Sequence, residues 1–203
     1  MLQSVALVLG AYLVGSFASA ILVCRAMGLP DPREGGSGNP GATNVLRLGG
    51  KKAAALTLTG DVLKGVLPVL VATWLDESPP VRMAVGFAAF LGHLFPVFFG
   101  FRGGKGVATA FGALVALSGS VGLAAVATWV GVAAATRYSS LAALTASVLA
   151  PAYAAFLTGE TAYVVGLALI AVLLLVRHRG NIGRLLAGTE SRIGEKAKAA
   201  PGA

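Results

Sequence analysis

Three short polar stretches carry the residue types that could do chemistry. The first, residues 35–52, reads Gly-Gly-Ser-Gly-Asn-Pro-Gly-Ala-Thr-Asn-Val-Leu-Arg-Leu-Gly-Gly-Lys-Lys. Glycines tolerate left-handed backbone angles, so successive N–H groups can turn into one anion-binding concavity. Arg47 adds a planar fork suited to phosphate or carboxylate. Ser37, Gly38, Asn39, Thr43 and Asn44 supply further donors and backbone freedom. A solvated loop between two helices would have the same composition, so this stretch alone decides nothing. The second, residues 101–109, is Phe-Arg-Gly-Gly-Lys-Gly-Val-Ala-Thr. It opens an apolar run, so free N–H groups at a helix start would lie beside Lys105 and Arg102, a combination that favours an anion. It is not a Walker loop: Gly106 rather than Ser or Thr follows the lysine. The third, residues 177–192, contains Gly180-Asn181-Ile182-Gly183, which repeats the form of Gly38-Asn39-Pro40-Gly41. For each asparagine, a tie between loops and a ligand contact are both open.

The elements that must position these stretches are apolar. The 203-residue chain is 56% hydrophobic and only 12% charged, against about 25% charged in soluble domains. It reads as an all-α integral membrane protein of one domain. A net charge of +8 would suggest nucleic acid in a soluble chain, but aromatic residues are not interleaved with the cations, and no nucleic-acid partner is expected. In a membrane protein basic residues first report orientation. About 20 apolar residues cross a bilayer, which predicts about seven spans near 2–24, 53–75, 81–100, 106–119, 120–136, 140–158 and 161–177. The run 106–136 is too long for one ordinary crossing; Ser118-Gly119-Ser120 offers a turn between two short spans, and the alternative is a five-span chain in which the run is a re-entrant or kinked element. Residues 2–24 read as a retained span, since no basic segment precedes them and the apolar run continues past Ala18-Ser19-Ala20.

With seven spans, Arg25, Arg33, Arg47, Lys51, Lys52, Arg102, Lys105, Arg137, Arg177, Arg179 and the basic tail share one side. Asp76, Glu77, Arg82 and Glu160 lie opposite. That asymmetry predicts the N-terminus outside and the C-terminus, with all three polar stretches, in the cytoplasm. Residues 190–203 read as a basic flexible tail. Asp61 and Lys64, three apart within the second span, are expected to be structural, paired with each other or with a cation of the first stretch. His93 is expected to be bonded to a carbonyl inside the third span, whereas His178 stands at the membrane boundary among cations that favour its neutral form. Two histidines, one cysteine and no clustered carboxylates leave no expected metal site, and no cofactor.

Taken together and in this order, 36–44, 92–109 and 177–190 resemble the three motifs of the PlsY family of bacterial acyl-phosphate:glycerol-3-phosphate acyltransferases. The likeness runs over nearly the whole chain and includes Asp61 and Lys64; Ser139 before Ser140 is a small departure. The resemblance implies transfer of a fatty acyl group from acyl phosphate to the sn-1 hydroxyl of glycerol 3-phosphate, giving lysophosphatidic acid and phosphate at the bacterial plasma membrane. It implies an active-site role for Ser37 and Arg47, and glycerol-phosphate binding for Gly103, Gly104, Lys105 and Gly106. It also ties His178 and Asn181 to activity and Glu190 to structural integrity. Arg184 suits the same anions. Neither histidine heads a His-x₄-Asp motif, because Phe98 and Gly183 stand where the aspartate would be. A small transporter for a phosphorylated metabolite is the rival, but transporters usually bind at the membrane midplane rather than at helix ends.

Overall fold

The computed structural model describes residues 1–195 and is helical throughout, with no strand among the described residues. The helices are α1 (Leu2–Gly15), α2 (Ser19–Ala26), α3 (Ala42–Trp74), α4 (Pro79–Leu94), α5 (Val107–Leu117), α6 (Gly119–Thr136), α7 (Ser139–Thr158), α8 (Thr161–Arg177) and α9 (Arg179–Leu186). Three places differ from the simplest reading of the sequence. The first apolar run breaks at residues 16–18, so that α1 and α2 meet at 41°. Residues 42–49 of the first stretch, expected as loop, are helical, and α3 bends at Gly50, whose φ of 76° and ψ of −171° leave the helical region. The third stretch begins with a bend of 62° between α8 and α9.

Residues 106–136 form two helices, as their length requires. Ser118 has extended angles (φ −157°, ψ 113°) and ends α5 one residue before α6 begins. α5, at 11 residues, is about 16 Å long by its helical rise, well short of a hydrocarbon core of about 30 Å. Among the described residues, four helical segments are long and apolar enough to cross alone, the two bent pairs raise that to as many as six, and α5 is a shorter apolar helix.

Helix α3 packs along α5, α1 along α4, and α6, α7 and α8 side by side. Phe90 and Leu94 of α4, Leu114 of α5 and Leu174 of α8 meet in one buried cluster. Leu56, Leu67, Trp74, Phe156 and Val172 point outward, as lipid-facing side chains do. One buried polar group crosses this packing. Lys64 Nζ lies 2.9 Å from Asp61 Oδ1 and donates to the Phe17 carbonyl, also at 2.9 Å. Of the two partners expected for Asp61, the structure holds Lys64. His93 Nδ1 sits 3.1 Å from Thr109 Oγ1 and 3.5 Å from Asp61 Oδ1, so its partner is a hydroxyl rather than the expected carbonyl.

The segment expected to be a flexible tail is bound in over its first residues. The Ile193 N–H donates to the Arg137 carbonyl at 2.7 Å, the Arg137 guanidinium returns a bond to the Ile193 carbonyl at 3.0 Å, and Arg192 lies over the Tyr138 ring. These contacts tie Arg192 and Ile193 to the α6–α7 junction. Residues 196–203 lie outside the described residues.

Candidate active site

Each polar stretch is shaped by bonds to its own backbone before it offers anything to a ligand. In the first, Asn44 is 1% exposed. Its Oδ1 accepts the Ser37 N–H at 2.9 Å, and its Nδ2 donates to the carbonyls of Pro32 (2.9 Å) and Gly35 (3.0 Å). Asn44, expected as a substrate ligand, closes the loop here: it is buried and both of its N–H donors are spent on backbone carbonyls. What it leaves outside is the exposed Ser37.

The second stretch is wedged. A side chain at Gly104 would run into the His93 imidazole and stand 2.8 Å from the Pro40 carbonyl oxygen; one at Gly103 would meet the His93 carbonyl and Pro96. Gly106 caps the start of α5 with φ +88°, a left-handed angle that glycine adopts without steric penalty. These three glycines, expected to bind glycerol phosphate, allow the close packing that brings Lys105 forward. The Gly104 N–H donates to the His93 carbonyl at 3.2 Å. From the other side Arg177 Nη2 donates to the carbonyls of Gly103 and Gly104, both at 2.8 Å.

The third stretch meets the second at Asn181, whose Oδ1 accepts from Lys105 Nζ. Asn181 Nδ2 donates to Glu190 Oε1 at 2.6 Å, where Ser140 Oγ also donates at 2.7 Å; Arg184 Nε donates to Glu190 Oε2 at 2.8 Å. A carboxylate bonded on three sides fixes which end of the Asn181 amide faces Lys105.

These contacts bound one open cleft of about 300 Å³. Of the expected residues, Ser37, Asn39, Lys105, Asn181 and Arg184 line it, together with Arg177, Arg179 and Gly180, which the sequence had suggested only as part of the third stretch. Arg47 stands close by and donates to Ser191 Oγ at 2.5 Å. Gly38 shapes the loop with a positive φ, Thr43 is exposed on the first turn of α3, and neither lines the cleft.

Four cations face one space, and the electrostatics show it. Burial pushes Lys105 down to about 8, Arg184, Arg47 and Arg177 push the same way, and Glu190 opposes them. Burial works against charge on Glu190 as well, but bonds from Asn181, Ser140 and Arg184 outweigh it and hold its carboxyl below the ordinary range. His178 is 3% exposed, with Nδ1 2.8 Å from the Leu174 carbonyl. Burial, then Lys105, bring it down to about 4, so the ring is neutral near pH 7 and its Nδ1–H is committed to Leu174. It is not a cleft-lining group.

An all-helical, multi-pass membrane protein with a cationic cleft at one end of its bundle is the class this geometry defines. Comparison with known proteins narrows it. The sequence model of the glycerol-3-phosphate acyltransferase family matches residues 5–188. The glycerol-3-phosphate acyltransferase of Thioalkalivibrio sulfidiphilus is 62% identical over 98% of both chains, and that of Methylococcus capsulatus 59% identical over 92% of this chain and 94% of its own. The crystal structure of PlsY, an integral membrane glycerol 3-phosphate acyltransferase, in its glycerol 3-phosphate form superposes with a TM-score of 0.90 at 42% identity, over 95% of this chain and 96% of that one. The chain belongs to the glycerol-3-phosphate acyltransferase family, of the PlsY type.

Proposed function

We propose that the chain transfers a fatty acyl group from acyl phosphate to the sn-1 hydroxyl of glycerol 3-phosphate, at the cytoplasmic face of a bacterial plasma membrane. The observation that carries this is the convergence of Ser37, Lys105 and Asn181, from three separate stretches, on one cleft rimmed by Arg177, Arg179 and Arg184. Two phosphorylated substrates are dianionic for much of the physiological range, and a cleft of this charge suits both. The resemblance to a PlsY structure in its lysophosphatidic acid form supports the same reading of the product.

In this reaction the glycerol oxygen attacks the acyl carbonyl carbon, the carbon–oxygen bond to phosphate breaks, and the hydroxyl proton leaves on the departing phosphate. The products are lysophosphatidic acid and inorganic phosphate. An acyl phosphate is already activated, so neither a covalent acyl-enzyme nor a metal enters the scheme. The residues' work is to hold two anions side by side and to stabilise the developing oxyanion. Lys105 and Arg184 take the phosphates, with Arg47 contributing long-range field, while the Ser37 hydroxyl and the Asn181 amide orient the acceptor. His178, with low basicity and its Nδ1–H spent on Leu174, is a poor proton acceptor. The substrate's own phosphate is the better one, and His178 holds the α8–α9 corner.

The spans read as seven, with the short α5 as a pass accommodated by local thinning of the bilayer and α6 as the next, the N-terminus outside and the C-terminus inside. In this arrangement Asp76 and Arg82, 3.7 Å apart, lie at the outer end. The deciding experiment is phosphate release by detergent-purified protein given palmitoyl phosphate and glycerol 3-phosphate. Release that requires both substrates supports transfer. No release from a folded preparation rejects it.

A further inference from the structure

Lys105 enters the cleft from a loop with little structure of its own. The loop's grip on the bundle comes from two sides: the Gly104 N–H bonded to the His93 carbonyl, and Arg177. The Arg177 fork makes three contacts there, Nη2 to the Gly103 and Gly104 carbonyls and Nε to the Gly104 carbonyl at 3.2 Å. Its guanidinium is itself held over the Phe95 ring, 5.8 Å from the centroid. The Gly104 carbonyl belongs to the planar peptide unit that continues into the Lys105 nitrogen. Fixing that oxygen therefore fixes the plane from which the Lys105 side chain departs. Arg177 also ends α8, four residues before Asn181, so one corner of the chain holds both the lysine's loop and the amide the lysine meets.

We propose that Arg177 is a positioning residue for the reaction: by holding the Gly103 and Gly104 carbonyls it sets the direction in which the Lys105 ammonium enters the cleft. This rests on the acyl-transfer reading. Two simpler roles give different results. A cation that only anchors the helix end to the membrane would be replaceable by lysine, and a direct ligand of substrate phosphate would act on KM. Lysine keeps the charge but cannot reproduce a planar fork on two carbonyls.

The test uses full-length protein in detergent, phosphate release from palmitoyl phosphate, and the variants Arg177→Lys, Arg177→Ala and Phe95→Leu, each checked for folding by thermal melting. Wild-type activity is measured first, so an inactive wild type rejects the acyl-transfer reading and is told apart from any variant effect. Misplacing a catalytic group by about 1 Å costs on the order of 10²-fold in rate. Arg177→Lys is accordingly expected to lose about that much in kcat, and Arg177→Ala at least as much, with partial recovery in millimolar guanidinium. Lys105 is also faced by Glu190, Arg184, Arg47 and His178. With Arg177 gone and these left, the alkaline limb of the rate profile in Arg177→Ala moves to higher pH. Wild-type kcat in Arg177→Lys overturns the proposal, as does a loss confined to KM for glycerol 3-phosphate with an unmoved alkaline limb. If both Arg177 variants fail to fold, Phe95→Leu decides. A several-fold fall in kcat upholds the positioning role, and an unchanged kcat rejects it.

Discussion

The Asn181 side-chain amide donates to the Glu190 carboxylate at 2.6 Å, and this bond determines that Asn181 turns its oxygen, not its nitrogen, toward Lys105. Glu190 thus acts on the cleft from outside it. Replacing it with glutamine keeps the size but removes the charge, and the new amide can turn a donor toward Asn181. Hydrogen bonds to charged groups contribute about 1.5–3 kcal/mol, which is roughly 10- to 100-fold in rate if their loss misorients Asn181. Glu190→Gln is expected to lose that much in kcat. Because Glu190 is the group holding Lys105 upward, the alkaline limb should also move to lower pH. A limb that stays in place would remove Glu190 from the electrostatics of Lys105.

Lys105 gives a second prediction, with opposite signs for activity and stability. In the proposed reaction its ammonium is the form that takes a phosphate, so kcat/KM should fall as pH rises through about 8, and Lys105→Arg should lose that limb. Lys105→Ala should cut turnover severely while the protein still folds. For stability, the lysine titrates lower in the folded protein than in the unfolded chain, where the ordinary value is 10.5. The folded state then binds fewer protons, and stability rises with pH between those two values. Below about 8 the penalty of burying the charge is present in full. Ligand-free Lys105→Met should therefore melt higher than wild type at pH 7, with the gain shrinking as pH climbs toward 10.5.

Much of this site was legible before any coordinates, because glycine, asparagine and cations stand out against apolar runs. What the sequence could not separate was which asparagine faces in. Asn39 lines the cleft and Asn44, in the first turn of α3, ties the loop, yet a Gly-rich stretch read as loop has no periodicity that assigns a side to either. Residues 42–49 escaped as a helix because a Gly doublet and polar residues mask a short helical turn. Arg177 escaped for a different reason. A cation at a span's end already satisfies the orientation rule, so nothing in the sequence asks for a further role. Residues 190–193 looked like tail because their partners, Ser140 and Arg137, lie about 50 residues away along the chain.

The packing of the second stretch makes Gly104 a sensitive position. A methyl group there collides with the His93 ring and approaches the Pro40 carbonyl oxygen to 2.8 Å. Neither neighbour is the free end of a flexible side chain, so the loop must shift. Overpacking of this kind costs about 1–3 kcal/mol, and the shift carries Lys105 with it. Gly104→Ala should lower the melting temperature modestly and kcat/KM by a larger factor. Gly183→Ala is the control. A side chain there meets nothing within 4 Å, and it should leave both measurements close to wild type.

The buried pair in α3 tests the expectation that Asp61 and Lys64 serve structure. Both are nearly inaccessible, 2% and 5% exposed, and 2.9 Å apart. Removing one partner of a buried pair typically costs about 3–5 kcal/mol, because the other charge is left uncompensated, whereas replacing both with apolar groups is often neutral. In Asp61→Asn the lysine keeps the Phe17 carbonyl at 2.9 Å, which places the expected loss toward the lower end of that range. His93, 3.5 Å from the same carboxylate and bonded to Thr109, would then face an amide in place of a charge. Unfolding in mixed micelles should show Asp61→Asn strongly destabilised and the double variant Asp61→Leu/Lys64→Met recovered to near wild type, with kcat retained in the double variant. A double variant that folds as well as wild type but cannot turn over would instead make the pair part of the reaction, acting through His93 on the loop that carries Lys105.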